Sequence, residues 1–248
     1  MKIDKYVKDK NGMYKLLLDN DDILLIHEDL ILKYELLLKK NIDDSLREKI
    51  EKENLIYTAY NLSIKYLNTK ARSEKEIYEY LKKRQVDDDI IKECISLLRK
   101  NNYINDELYS KMYINDKINL SNDGPYKIRK ALTDLGVREE YINSNIDIFD
   151  SSLEKEKIEK LVDKQIKLNH NKSAYVLKNK ILNYLVNLGY TRSIINDVLN
   201  STNFKDDEDL YKKEYDKLYK KLSRKYSGTE LDYKIKEKMY ARGFYKNS

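Results

Sequence analysis

Cysteine, proline, histidine and tryptophan are nearly missing from this chain of 248 residues, which has one, one, two and none of them. Cys94 alone cannot close an intramolecular disulfide, and a reducing compartment fits best. With one proline and six glycines, a turn-rich sandwich, a collagen-like repeat and a flexible linker array are all improbable. No stretch approaches the roughly 18 apolar residues of a membrane span. The longest apolar runs, such as Ile23–Ile26, are short and flanked by acids, and Met1–Lys5 carries no apolar signal region. These exclusions lead us to expect a cytoplasmic protein.

Motifs for common chemistries are also missing. There is no Gly-x4-Gly-Lys-Ser/Thr loop, no Gly-x-Gly-x-x-Gly and no Gly-x-Ser-x-Gly. His27, His170 and Cys94 are too scattered for zinc-ligand spacing. His27 reads as structural at a strand end, and His170 as solvated in a polar loop. Cys94 shares an apolar face with Ile90, Ile91 and Leu98 and reads as a small core residue. No catalytic residue, metal or cofactor is expected.

Charge and tyrosine are abundant. Charged residues make up 37% of the chain, against about 25% in an average domain, and the Lys, Glu, Leu and Ile content favours a mainly α fold. The net charge is +6 but unevenly spread: −2 over 1–54, +3 over 55–105, −3 over 106–152, and +4 over both 153–204 and 205–248. Residues 210–248 are the most basic, with twelve cations to five acids. Such a segment suits phosphates or an acidic protein surface. There are 23 tyrosines against three phenylalanines. Tyr60, Tyr66, Tyr109 and Tyr190 fall on apolar stripes, where buried rings are expected, with base stacking or interface anchoring as the alternative.

Four segments align without gaps: Ile77–Val86, Ile128–Val137, Ile181–Tyr190 and Ile235–Phe244. Each places apolar residues at i and i+4, glycine or glutamine at i+8 and an apolar residue at i+9. Positions i and i+4 share one helical face, and the glycine suits the left-handed residue that closes a helix. Gln85 must adopt that turn at some cost or cap differently. A polar triplet and a second helical start follow in the first three, at Asp87–Asp89, Arg138–Glu140 and Thr191–Ser193. The three aspartates read as a helix start, because the glycine and distal glutamate of a calcium loop are missing. An amphipathic stretch precedes each anchor, at 55–67, 108–118, 153–168 and 210–222. The expected organisation is an N-terminal region at 1–54, three-helix repeats at 55–105, 106–152 and 153–204, and an incomplete two-helix repeat at 205–248. Capping boxes are expected at Ser45–Glu48, Ser73–Glu76 and Ser151–Glu154. Gly124-Pro125 suits the first turn of the second anchor helix. In the N-terminal region, 13–18 and 23–26 read as a β-hairpin. A helical stripe of Leu30, Tyr34, Leu37 and Leu38 follows from Glu28-Asp29.

The blocks Ala71–Ile77 with Leu81 and Val86, Leu98–Tyr109, and Gly124–Val137 resemble, in order and spacing, the RecX regulatory family. The likeness covers about residues 55–200, and the N-terminal hairpin and incomplete fourth repeat resemble the longer RecX proteins of low-GC Gram-positive bacteria. Gln85 and Asn102 depart from it, standing where the family usually has glycine. The resemblance implies tandem three-helix repeats in an elongated, curved array. It also implies a non-enzymatic regulator that binds the RecA filament on single-stranded DNA and mostly inhibits its ATPase, strand exchange and coprotease functions. A monomer is expected.

Candidate contacts to RecA or DNA are the cations beside the anchor helices and on the last long helix. They are Arg72, Lys82, Lys83, Arg84, Arg99, Lys127, Arg129, Lys130, Arg138, Arg192, Lys213, Lys217, Lys220, Lys221, Arg224, Lys225 and Arg242. Arg72 adjoins a helix start and has packing within its own repeat as an alternative. Two other classes remain open: an autonomous DNA-binding protein, since three-helix units also make helix-turn-helix domains, and a helical-repeat scaffold for another partner.

Overall fold

The computed structural model describes residues 1–10, 12–169, 171–204 and 208–245. It contains three strands and twelve helices among the described residues, in two compact units: 1–110 with 133–141, and 111–132 with 142–248.

The first unit opens with an antiparallel meander of β1 (Ile3–Lys8), β2 (Met13–Leu18) and β3 (Ile23–His27), ordered β1-β2-β3. β2 and β3 form the expected hairpin, with Leu16 opposite Leu24 and Tyr14 opposite Ile26. β1 is an addition that the sequence did not suggest, because only Ile3 along it is buried. Its start is tied to a distant segment: Ile3 N donates to Lys40 O (2.7 Å) and Ile42 N to Met1 O (2.8 Å). Helix α1 (Glu28–Lys33) is shorter than its apolar stripe. Tyr34 caps it and Glu35 turns left-handed at φ +53°, so Leu37 and Leu38 lie beyond the helix and point into solvent.

Helix α2 (Asp44–Leu67) contributes Ile50 to the core of the sheet, with Leu16, Ile26, Leu30 and Leu36. It contributes Ala59 to a second core, with Ile77, Leu81, Ile91, Cys94 and Leu98. Its N-cap is Asp43, whose carboxylate accepts from Leu46 N (2.7 Å), rather than the expected Ser45. An aspartate two residues upstream caps first and leaves Ser45 inside the first turn. Asn54 on α2 bonds both polar groups of β3 nearest to it, accepting from His27 N (3.0 Å) and donating to Leu25 O.

Helices α3 (Glu74–Lys82) and α4 (Asp88–Lys100) complete this unit with the start of α5 (Asp106–Leu120), the end of α6 (Pro125–Asp134) and the start of α7 (Glu139–Ile146). The second unit adds α8 (Ser151–Leu168), α9 (Ala174–Asn187), α10 (Arg192–Ser201), α11 (Glu208–Leu222) and α12 (Gly228–Ala241). The capping box at Ser73 is present in full. At α8 the N-cap is Asp150, not Ser151, again because an aspartate stands one residue earlier. The three aspartates do start α4, and Pro125 starts α6.

All four anchor pairs are at most 3% exposed: Ile77/Leu81, Ile128/Leu132, Ile181/Leu185 and Ile235/Met239. Gln85, Gly136, Gly189 and Gly243 follow these helices at φ between +61° and +85°. Gln85 takes the turn that glycine takes elsewhere: Gln85 N donates to Lys82 O and Val86 N to Leu81 O, closing the helix as a Schellman motif does. Asn102 at φ +58° ends α4 in the same way.

Within each unit the start of one anchor helix meets the end of the next. In the first, Ser73 Oγ donates to Leu135 O (2.7 Å) and Lys75 Nζ to Asp134 O (2.9 Å). In the second, Gly124 N donates to Leu188 O (2.7 Å), Tyr126 N to Gly189 O (3.0 Å) and Ser173 Oγ to Arg242 O (2.8 Å). At Gly189 a Cβ would stand 2.6 Å from Lys127 N, so the joint admits glycine alone. Gln85, at the end of the first anchor helix, is exposed and tolerates its side chain.

Candidate recognition surfaces

The seventeen candidate cations fall into two groups. Most are engaged within the chain. Arg72 and Arg84 form the outer layers of a stack: Arg72 lies 4.0 Å over the Tyr66 ring, Tyr66 stacks on Tyr80 at 4.0 Å and 7°, and Arg84 lies 3.6 Å from Tyr80. Arg72 also pairs with Glu76 (3.1 Å). Arg72 therefore packs as the alternative reading allowed, and Tyr66 is half-buried by guanidinium rather than by aliphatic core. Tyr60 is half-buried too, whereas Tyr109 and Tyr190 are buried as expected.

Lys82 pairs with Asp88 (2.8 Å), which also accepts from the Tyr78 hydroxyl, and the two donors hold the Asp88 carboxyl below its ordinary range. Lys127 pairs with Asp123 (2.6 Å), Arg129 donates to Asn143 Oδ1 (2.6 Å), Lys217 pairs with Glu214 (2.6 Å), and Arg242 with the same Glu214.

Two candidates share a cleft of about 790 Å³ in the first unit. Arg99 grips Glu74 with two bonds of 2.8 Å, and Arg138 pairs with Glu140 while covering the Tyr141 ring at 4.2 Å. Asp106 accepts from Glu74 N (3.0 Å) on the same wall, and burial pushes its carboxyl above the ordinary value. The cleft carries both signs in balance. Lys75, Tyr78 and Asn105 line it as well, and nothing local in the sequence marks them.

The second group has no ion-pair partner among the described residues: Lys83, Lys130, Arg192, Lys213, Lys220, Lys221, Arg224 and Lys225, all exposed. Four of them, Lys220, Lys221, Arg224 and Lys225, fall within six residues at the end of α11 and in the turn after it, the densest run among these candidates. Along α11, the rings of Tyr211, Tyr215 and Tyr219 form a ladder with centroids 6.5 and 6.4 Å apart, and Tyr219 is exposed. A run of free cations beside an exposed ring is chemically suited to a phosphate backbone.

The histidine and cysteine carry no site here. His27 is buried, caps α1 by accepting from Asp29 N (3.3 Å), and stacks on Tyr57 at 4.3 Å. His170 lies outside the described residues. Cys94 is fully buried, and burial pushes its thiol up to about 11. Among the described residues no group of three His, Cys, Asp or Glu could hold a metal, and no helix is long and apolar enough to cross a membrane.

A family model described as "RecX, first three-helix domain" matches residues 59–98, which run from the second half of α2 through most of α4. The regulatory protein RecX of Streptococcus agalactiae serotype III is 32% identical over 98% of this chain and 95% of its own length. The chain belongs to the RecX family. The RecX of Streptococcus pyogenes serotype M5 is 33% identical over the same shares. A crystal structure of a regulatory protein RecX superposes with a TM-score of 0.72 at 23% identity, covering 81% of this chain and 99% of that one. RecX from Lactobacillus salivarius gives 0.56 at 26%, covering 60% and 96%. Gln85 at φ +61° and Asn102 at φ +58° close their helices with the left-handed turn that Gly136, Gly189 and Gly243 supply in the other anchor segments.

Proposed function

We propose that this chain binds the RecA filament on single-stranded DNA and restrains its ATPase, strand exchange and coprotease activities as a cytoplasmic monomer, without a reaction of its own. The observation that carries the reading is its similarity to RecX regulatory proteins along 98% of its length. The eight cations without an ion-pair partner among the described residues support a contact with phosphate or acidic protein, because they lose no such pair on binding. The paired cations would exchange one partner for another at little gain. We read the four anchor segments as tandem repeats that offer several such contacts in series.

The test is RecA's single-stranded-DNA-dependent ATPase, with the protein titrated onto preformed filaments of its host's RecA and a bare-DNA control at the same salt. Inhibition at near-stoichiometric amounts, below the concentrations that coat bare DNA, is the expected result. No change in ATPase and no co-sedimentation with filaments, despite tight binding to bare DNA, overturns it. That outcome favours an autonomous DNA-binding protein, the second reading, for which the free basic run at the end of α11 speaks.

A further inference from the structure

The N-terminal sheet and α1 leave an open cleft of about 350 Å³ whose wall is apolar and whose rim is acidic. It exists because α1 stops after six residues: Leu32 is 65% exposed, and the left-handed turn at Glu35 leaves Leu37 55% exposed. Tyr6 and Tyr14 form the opposite wall, and the Tyr6 hydroxyl is fixed by donating to Leu36 O (2.7 Å). Apolar side chains gathered around a concavity mark a place for another molecule. Glu28 and Asp29 on the rim set what that molecule carries. Among the described residues neither pairs with a lysine or arginine, since the neighbouring Lys33 and Lys39 are held by Glu53 (2.7 Å) and Glu35 (2.6 Å). Among the described residues the Asp29 carboxylate pairs with the His27 ring, at 3.6 Å, and burial favours that ring's neutral form. Two exposed carboxylates without a lysine or arginine partner among the described residues disfavour a phosphate backbone and favour a cationic peptide.

We propose that this cleft is a protein-docking site for a segment of the RecA protomer that presents one large apolar side chain beside a lysine or arginine. The proposal rests on the filament reading above and deepens it: the acidic cleft takes the protein of the filament, and the basic run of α11 takes its DNA. The test compares the full-length chain with L32S/L37S, E28K/D29K and E28Q/D29Q. Each is measured by co-sedimentation with RecA filaments and by anisotropy of a labelled bare oligonucleotide at the same salt. All substituted side chains lie on the surface, and thermal melts followed by circular dichroism verify folding. L32S/L37S is expected to weaken filament binding about tenfold or more, as truncated anchor contacts do, with oligonucleotide affinity unchanged. E28K/D29K is expected to weaken filament binding more than E28Q/D29Q. Filament affinity unchanged in L32S/L37S and E28K/D29K, or an equal loss toward bare DNA, overturns the docking site. A wild-type chain that does not sediment with filaments overturns the functional reading itself, and the docking site with it, before any variant is compared.

Discussion

Replacing Gly189 by alanine tests whether the joint between anchor helices is as close as described. Gly189 sits at φ +85°, and an added Cβ would meet Lys127 N at 2.6 Å and Lys127 Cβ at 2.7 Å. The left-handed backbone costs a non-glycine residue roughly 1–2 kcal/mol. Forcing a methyl group against main chain that cannot rotate away costs a further ~1–3 kcal/mol. The reduced freedom of the unfolded chain returns about 0.4–1 kcal/mol. The net expectation is a loss of roughly 2–4 kcal/mol, or about 4–16 °C in the melting temperature of the unit that holds α9. Gly228→Ala is the control: at φ +57° it has nothing within 4 Å of its Cβ position, so only the backbone cost applies, about 1 kcal/mol after the same return. Gln85→Gly, where the strain is already present and exposed, should change stability by less than about 1 kcal/mol. Urea and thermal unfolding followed by circular dichroism measure all three. If Gly189→Ala is no more destabilising than Gly228→Ala, the close approach does not exist in solution and the argument for glycine at the joint fails.

Reversing charge at Lys220, Lys221 and Arg224 together should weaken filament binding and flatten its dependence on salt, since fewer counterions are displaced. An unchanged affinity and slope would remove the end of α11 from the contact. Cys94, with its thiol pushed up to about 11 by burial, should resist alkylation at pH 8 in the folded protein and react promptly in denaturant; rapid labelling of the native chain would contradict its place in the core. Burial lowers the pKa of His27, so the folded state holds it neutral while the unfolded state takes up a proton first. Its contribution to stability is therefore full above the ordinary histidine value and lost as pH falls through the lowered one. Urea midpoints measured from pH 7.5 to 5 should fall more steeply for the wild type than for His27→Gln, and identical slopes would refute the assignment.

The anchor helices were legible because every signal for them is local. Ile77 and Leu81 lie one turn apart, Gln85 ends the turn, and Val86 folds back, all within ten residues. Cys94 and the capping box at Ser73 were legible for the same reason. β1 was not, because it is held by pairing with β2 and by Lys40 and Ile42, while most of its own residues are exposed and half are charged. Leu37 and Leu38 kept the helical period but not the helix, because the left-handed Glu35 intervenes. For the candidate site, a sequence shows which residues are cations but not which acids fold beside them. Arg99 lies 25 residues from Glu74 and Arg242 lies 28 from Glu214, and those partners separate the engaged cations from the run at Lys220–Lys225. The layered Arg72, Tyr66, Tyr80 and Arg84 likewise join two helices that no periodicity couples.

The amide of Asn54 has a consequence for how the protein behaves in a crowded cell. A three-stranded sheet ends in two unpaired rims, and an open rim is a template on which another chain can add a strand. On the β3 rim, Leu25 O and His27 N are among the groups that a fourth strand would bond, and the Asn54 side chain occupies both. On the β1 rim, the backbone of Lys40–Ile42 takes the groups around Ile3. One side chain from a helix thus takes two edge groups of β3, one of the ways a short sheet blunts an open rim.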